Sequence, residues 1–192
     1  MKLIHMVGLA WVAATLVFAQ EFKLGSKVSD FELKDTSGQT VRFSNLKGDV
    51  TAILFIATRC PISNDYNERM KAIYKDYSAR GVKFVFINAN STEPAAEVAE
   101  HAQKWGFPFK VYKDDNNVVA DRFGAQFTPE VYVLDRDGVI RYHGAIDDSR
   151  SADRVTKHYL RTALDELLAG KAVSTAETKA FGCTIKRVKK AS

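Results

Sequence analysis

The sequence predicts an α/β fold: a largely parallel sheet with helices on both faces. Three observations carry that expectation. Val50–Thr58 (VTAILFIAT) and Gly81–Asn90 (GVKFVFINAN) are apolar runs of strand length without alternation, as expected of strands buried on both faces. Segments of helical period follow each of them, the βαβ order of a parallel sheet. A hairpin signal stands at each end and adds antiparallel strands.

The elements follow in order. Asp30–Leu33 alternates like a strand, Thr36-Ser37-Gly38 is a turn signal, and Val41–Phe43 alternates again, which makes a hairpin. The Val50–Thr58 strand comes next. After Pro61 the period becomes helical, with Met70, Ile73, Tyr74 and Tyr77 on one side and a stop at Gly81. The Gly81–Asn90 strand leads to a helix over Glu93–Lys104, with Pro94 in its first turn. FPFKVYKD reads as a short strand, and NNVVADRFG as a short helix capped by Gly124. VYVLD and VIRYHG flank Arg136-Asp137-Gly138, a strong hairpin signal. Ser151–Leu168 reads as one long amphipathic helix closed by Gly170.

The ends are set apart from this domain, which is expected to run from residue 22 to 170. Residues 1–19 combine Lys2, an apolar stretch from Leu3 to Phe18 and a Val17-Phe18-Ala19 cleavage pattern, the signature of a secretory signal peptide. The stretch is shorter than the ~20 residues a membrane span needs, so no stable insertion is expected once the signal is removed. The expected location is therefore extracytoplasmic, periplasmic or secreted, with the mature chain starting near Gln20. Residues 171–192 form a basic tail carrying Cys183. From Lys179 onward it has Lys179, Lys186, Arg187, Lys189 and Lys190 and no acid, so the net charge of +5 is a property of the tail. A solvated end is the expected reading. Nucleic acid is not an expected partner, because no basic stretch is interleaved with aromatics on a folded platform.

Two cysteines, Cys60 and Cys183, remain in a chain expected to meet an oxidising compartment. They can form a structural disulfide, a catalytic pair or two free thiols; their spacing excludes a CxxC site and a zinc knuckle. Cys60 stands where a buried strand gives way to a helix. Unpaired N–H groups and the helix dipole favour a thiolate there. Arg59 would add positive charge if it turned inward, and Pro61 suits the first helical turn. Ser63 occupies the place of a second CxxC cysteine. Its hydroxyl cannot resolve a mixed disulfide; it can only bond the sulfur or cap the helix. Cys183 is then the one candidate for a resolving thiol.

The hairpin followed by LKG, the strand ending at Cys60-Pro61, Thr128-Pro129 ahead of VYVLD, and the last helix together resemble the thioredoxin fold, and more narrowly its redoxin branch. That branch holds AhpC/TSA peroxiredoxins, TlpA-like thiol oxidoreductases and secreted peroxiredoxin-like proteins. FGCTIK (Phe181–Lys186) resembles a Gly-Cys-x-Ile-Lys ending of the last group. The resemblance spans residues 24–188. It implies a three-layer α/β/α domain with a mixed central sheet and an N-terminal hairpin. It also implies that Pro129 is a cis-proline facing Cys60, and that Thr128 pairs with a bound partner's chain. Peroxiredoxins carry a proline seven residues, and a threonine or serine three residues, before the reactive cysteine; here those positions hold Ile53 and Ala57, with Thr58 one residue away. Arg59 and Arg141 are the candidates to replace the missing peroxide contact.

The expected function is an exported thiol redox enzyme in which the Cys60 thiolate attacks a protein disulfide or a small peroxide and Cys183 resolves the product. An external thiol is the electron donor, and no cofactor is called for. Two alternatives stand: a binding domain stapled by a structural Cys60–Cys183 disulfide, and a copper-binding relative in which His143 joins the two cysteines. His101 and His158 are expected to be solvated, Asp147 and Asp148 to cap the last helix, Tyr66 and Trp105 to pack, and Asn88–Ser91 to serve as loop and cap.

Overall fold

The computed structural model describes residues 21–189; the expected signal peptide lies outside them. A seven-stranded sheet runs through the molecule in the order β2-β1-β5-β4-β3-β7-β8. Its strands are β1 (Glu32–Lys34), β2 (Thr40–Arg42), β3 (Thr51–Phe55), β4 (Lys83–Asn88), β5 (Val111–Lys113), β7 (Glu130–Leu134) and β8 (Ile140–Gly144). The two apolar runs give the central pair: β3 and β4 are parallel, and β4 is parallel to β5. The two hairpins add antiparallel strands at opposite edges, β1–β2 beside β5 and β7–β8 beside β3.

Alternate residues of β3 feed two separate cores, because successive side chains leave opposite faces of a pleated strand. Ala52 and Leu54 join Met70, Ile73 and Tyr77 of helix α2 (Asn67–Ser78), Val98 of α3 (Ala95–Lys104) and Leu160, Ala163 and Leu164 of α5 (Tyr159–Leu168). Ile53 and Phe55 join Phe22, Phe31 and Phe43 and, from α4 (Val118–Phe123), Val119, Ala120 and Phe123. The result is the three-layer α/β/α arrangement with a mixed sheet.

Several expectations are corrected. The helix after Cys60 is broken at Tyr66 into α1 (Pro61–Asp65) and α2. Glu93 lies before α3 rather than in it, because Pro94 adopts an extended N-cap conformation. The long helix over Ser151–Leu168 is instead a single 3₁₀ turn at Ala152–Arg154, an extended Val155, and α5 from Tyr159. Asp148 holds that segment out of the helix: its carboxylate accepts the Thr156 and Lys157 N–H groups. Asp147 caps nothing; it accepts from Tyr66 and Arg69.

The tail is not a solvated end. After Gly170 it runs back across the domain, exchanging backbone hydrogen bonds with His143 through Ala176 and Thr178. Gly144 makes this approach possible: it has φ +147°, and a Cβ there would lie 2.1 Å from Thr178 Oγ1. The tail then forms β9 (Cys183–Thr184), which pairs antiparallel with β6 (Phe127–Thr128). Ile185 is buried in the second core, and Arg187 pairs with Asp121.

Asp114 gives a pH test of this arrangement. It is 4% exposed and accepts the Val119 and Ala120 N–H groups at the start of α4. Burial raises its pKa to about 6, further than those bonds pull it down. The folded chain therefore keeps a proton that the unfolded chain releases near its ordinary value of 3.8, so stability falls as pH rises from about 4 through 6. Asp114→Asn should abolish that fall and so gain on the wild type across this window, by on the order of 2–3 kcal/mol. Denaturant titrations at pH steps check it; parallel wild-type and variant curves would contradict it.

Candidate thiol redox site

Cys60 is the N-cap residue of α1. It follows the β3 end by a short loop and holds an extended backbone, φ −82° and ψ 115°. The apolar strand explains where the chain comes from, and Pro61 at the first helical position explains why the helix begins there. The Ser63 N–H donates to Cys60 Sγ at 3.2 Å. One orphan donor of the helix start is thus aimed at the sulfur, which favours the thiolate when the bond is reduced. The Ser63 hydroxyl does not bond the sulfur; it accepts from the Ala57 N–H.

Cys60 is disulfide-bonded to Cys183, with Cα atoms 5.8 Å apart and 123 positions between them in sequence. As residues the two cysteines differ in burial: Cys60 is 4% exposed and Cys183 is only partly buried. The Thr128-Pro129 bond is cis, and Thr128 lies against the site: its carbonyl oxygen is 3.4 Å from Cys60 Sγ. The strand that pairs with Thr128 is the protein's own tail at Cys183, not a partner's chain.

A buried polar chain supports the loop before Cys60. Both carboxylate oxygens of Glu93, 3% exposed, accept backbone N–H groups, from Thr58 at 2.8 Å and Arg59 at 3.0 Å. Asn88 Nδ2 also donates to Glu93, and Asn88 Oδ1 accepts from Lys113 Nζ at 2.7 Å. Lys113 is 6% exposed and spends its other two donors on the Asn90 and Glu93 carbonyls. Burial lowers its pKa, against the pull of nearby carboxylates, Glu93 foremost.

A second buried carboxylate, Glu130, follows Pro129. It accepts from Gln126 N, Phe127 N, the Tyr132 hydroxyl and His143 Nε2. Burial pushes its pKa up, but these bonds, His143 first, outweigh it and hold the carboxyl below its ordinary value. His143 stacks on Tyr132 and faces Glu177 of the tail with its other ring nitrogen.

The remaining expected residues are placed as follows. Arg59 points outward and is held bidentately by Glu97. Arg141 is held by Asp135 beside the β7–β8 turn. Thr58 contributes its backbone: N–H to Glu93 and carbonyl to Asn64. His101 is half-buried, bonded to Asn64 Oδ1, with its pKa lowered by burial, so it is not solvated. His143 is engaged with carboxylates, and among the described residues no group of three or more His, Cys, Asp or Glu is arranged to hold a metal. No described helix is long and apolar enough to cross a membrane. Sequence reasoning missed Glu93, Lys113, Asn117 and Glu130, and gave Asn90 only a loop-and-cap role. Asn88–Ser91 was within reach, because polar residues ending a buried strand beside a candidate thiol have few reasons to be there.

The fold and the cysteine at its strand–helix junction are those of a thioredoxin-fold redoxin. The AhpC/TSA family profile matches residues 24–143, and the chain belongs to that family. A thiol-disulfide oxidoreductase ResA from Halalkalibacterium halodurans is 25% identical over 122 residues, covering 63% of this chain and 68% of its own. A chloroplastic peroxiredoxin Q from Triticum aestivum is 30% identical over 138 residues, 68% of this chain and 62% of its own length. Among solved structures, an uncharacterized conserved protein from Geobacillus kaustophilus superposes with a TM-score of 0.82 at 34% identity, covering 88% of this chain and 95% of that one.

The Glu93 chain predicts a stability effect. Glu93→Ala leaves two loop N–H groups and Asn88 without their acceptor and Lys113 without its nearest counter-charge. It should cost about 3 kcal/mol, while Glu93→Gln, which keeps an acceptor oxygen, should cost less. Urea unfolding measures both; equal, negligible losses would mean the loop stands without Glu93.

Proposed function

We propose that this protein is an exported thiol-disulfide oxidoreductase whose working pair is Cys60 and Cys183. One observation carries the reading: the buried cysteine at the helix start, its sulfur met by the Ser63 N–H, is bonded to a partly buried cysteine on a paired tail strand. A binding domain would need neither the Ser63 N–H on the sulfur nor that difference in burial.

In the reduced protein the Cys60 thiolate attacks one sulfur of a partner disulfide. A Cys60–partner bond forms, the partner's S–S bond breaks, and the electron pair leaves on the partner's other sulfur. The Cys183 thiolate then attacks Cys60 Sγ, forms the intramolecular disulfide and releases the partner as a dithiol. An external thiol donor restores the reduced pair. Its thiolate attacks Cys183 Sγ, Cys60 departs as the thiolate favoured by the helix start, and a second donor thiol attacks the Cys183–donor bond, freeing Cys183 and leaving the donor as its disulfide. Disulfides are preferred to peroxides as substrate because Ala57 offers no hydroxyl and Arg59 and Arg141 are committed to carboxylates elsewhere. Export rests on residues 1–19, and an oxidising compartment is where a Cys60–Cys183 disulfide persists between turnovers. Residues 22–170 are read as the thioredoxin-like domain and 171–192 as the basic tail that carries Cys183.

The competing reading is a structural staple. Closing a loop this long would stabilise by about 4–5 kcal/mol in the chain-entropy model. A reduction potential above about −300 mV supports the catalytic pair, and one well below it the staple. With dithiothreitol as donor, Cys60→Ser should lose all reduction of insulin disulfides. Cys183→Ser, reduced beforehand and freed of dithiothreitol, should give a single turnover and accumulate a mixed disulfide at Cys60. A wild type without activity, with both variants equally destabilised, would overturn the reading.

A further inference from the structure

The tail does more than carry a sulfur to Cys60. Its backbone between Cys183 and Val188 is held along a cleft that runs from Thr128 to Asn117. Thr128 Oγ1 donates to the Cys183 carbonyl at 3.3 Å, and the Ile185 N–H donates to the Gln126 carbonyl at 2.9 Å. The Lys186 N–H donates to Asn90 Oδ1 at 2.7 Å, and the Lys186 carbonyl accepts from the Ser91 N–H at 2.8 Å. The Val188 N–H donates to Asn117 Oδ1 at 2.8 Å. Asn90 and Asn117 are 4% and 1% exposed, and Asn117 sits at φ +60°, a conformation few non-glycine residues adopt. Two buried amides, one of them on left-handed backbone, are thus given over to reading a passing main chain.

Main-chain contacts accept any sequence, but three positions do not. At Gly182 a Cβ would lie 2.1 Å from the Thr128 carbonyl oxygen and 3.2 Å from Pro129 N. Ile185 is buried in the second core. Arg187 reaches Asp121 at 2.7 Å and the Ala125 carbonyl. The geometry of a disulfide adds a constraint. Any cysteine bonded to Cys60 must bring its Cα within about 4.4–6.8 Å of Cys60 Cα. Residues 182–184 show one path that meets this range, past the Thr128 carbonyl, and a second chain can take it when the tail is away.

We propose that this cleft is the docking site for the protein's disulfide substrate and that the tail is an internal copy of that substrate. The partner is an extended protein segment with glycine directly before its reacting cysteine, an aliphatic residue two positions after it and a basic residue four after. This rests on the disulfide-exchange function proposed above. Reduction of Cys60–Cys183 removes the covalent hold on the tail and opens the cleft. Cys60 then attacks the docked partner's disulfide, and the partner's other sulfur leaves as a thiolate. The returning tail brings Cys183 to Cys60 Sγ and takes back the cleft, so resolution and partner release are one event.

The test uses full-length protein carrying Cys183→Ser, whose tail cannot close the disulfide. Three synthetic peptides spanning residues 180–189 carry the cysteine as a thionitrobenzoate mixed disulfide. One has the tail sequence, one has Gly182→Ala and one has Ile185→Asp. Thionitrobenzoate release is followed by absorbance, with Ellman's reagent as the reference for the Cys60 thiolate. The tail-sequence peptide should react at least tenfold faster than either variant. Equal rates for the three would overturn the cleft while leaving Cys60 chemistry intact. Failure of Ellman's reagent itself would instead sink the exchange function and this inference with it. As a second readout, the Ile185, Lys186 and Val188 amides of the wild type should exchange hydrogen at least tenfold faster after reduction. Unchanged protection would mean that the tail is a permanent strand and that the cleft is never open to a partner.

Discussion

A covalent bond spanning 123 residues joins the strand–helix junction at Cys60 to the tail strand at Cys183, and most of what distinguishes this redoxin follows from it. The bond brings Cys183 beside Thr128, and the β6–β9 pairing then covers the Cys60 sulfur. Each end of the link was prepared by local structure. A helix start supplies an N–H to one sulfur, and a glycine at 182 lets the other come close enough. The same closure carries Ile185 into the second core and Arg187 to Asp121. The tail is thus both disulfide-linked to Cys60 and a packed part of the domain.

Buried charge is arranged to keep that junction in place. Glu93 and Glu130 lie on either side of the site, one behind the Cys60 loop and one after the cis peptide. Each is surrounded by donors, as a carboxylate taken out of water must be. Each also turns its oxygens to backbone N–H groups beside the site, Thr58 and Arg59 for Glu93 and Gln126 and Phe127 for Glu130. Lys113 balances Glu93 through Asn88, and His143 balances Glu130. Rigid loops at a thiol site matter because exchange needs three sulfurs close to a line, a geometry that a fluctuating loop would populate rarely.

Much of this was legible in the amino-acid order. The unbroken apolar runs announced β3 and β4, Asp137-Gly138 announced the β7–β8 turn, and the change of period after Pro61 placed Cys60 at a helix start. These are local signals, written within a few residues by burial and turn chemistry. The errors were also local in cause. The Ser151–Leu168 pattern carried a helical stripe, but Asp148 competes for the N–H groups of Thr156 and Lys157 and keeps the first half extended.

Taken alone, the sequence determined the fold class and the placing of a cysteine at the strand–helix junction, because each depends on residues close together in the chain. Only the tertiary structure decided where the tail goes, which carboxylates stand beneath the site, and that Arg59 and Arg141 face away. The pairing of Cys60 with Cys183 belongs to this second group, as do Glu93 with Thr58, Asn117 with Val188 and Gly182 with Thr128. These contacts join residues far apart in sequence. No period or turn signal encodes them, since they form only after the sheet has closed and brought distant backbone within hydrogen-bond reach.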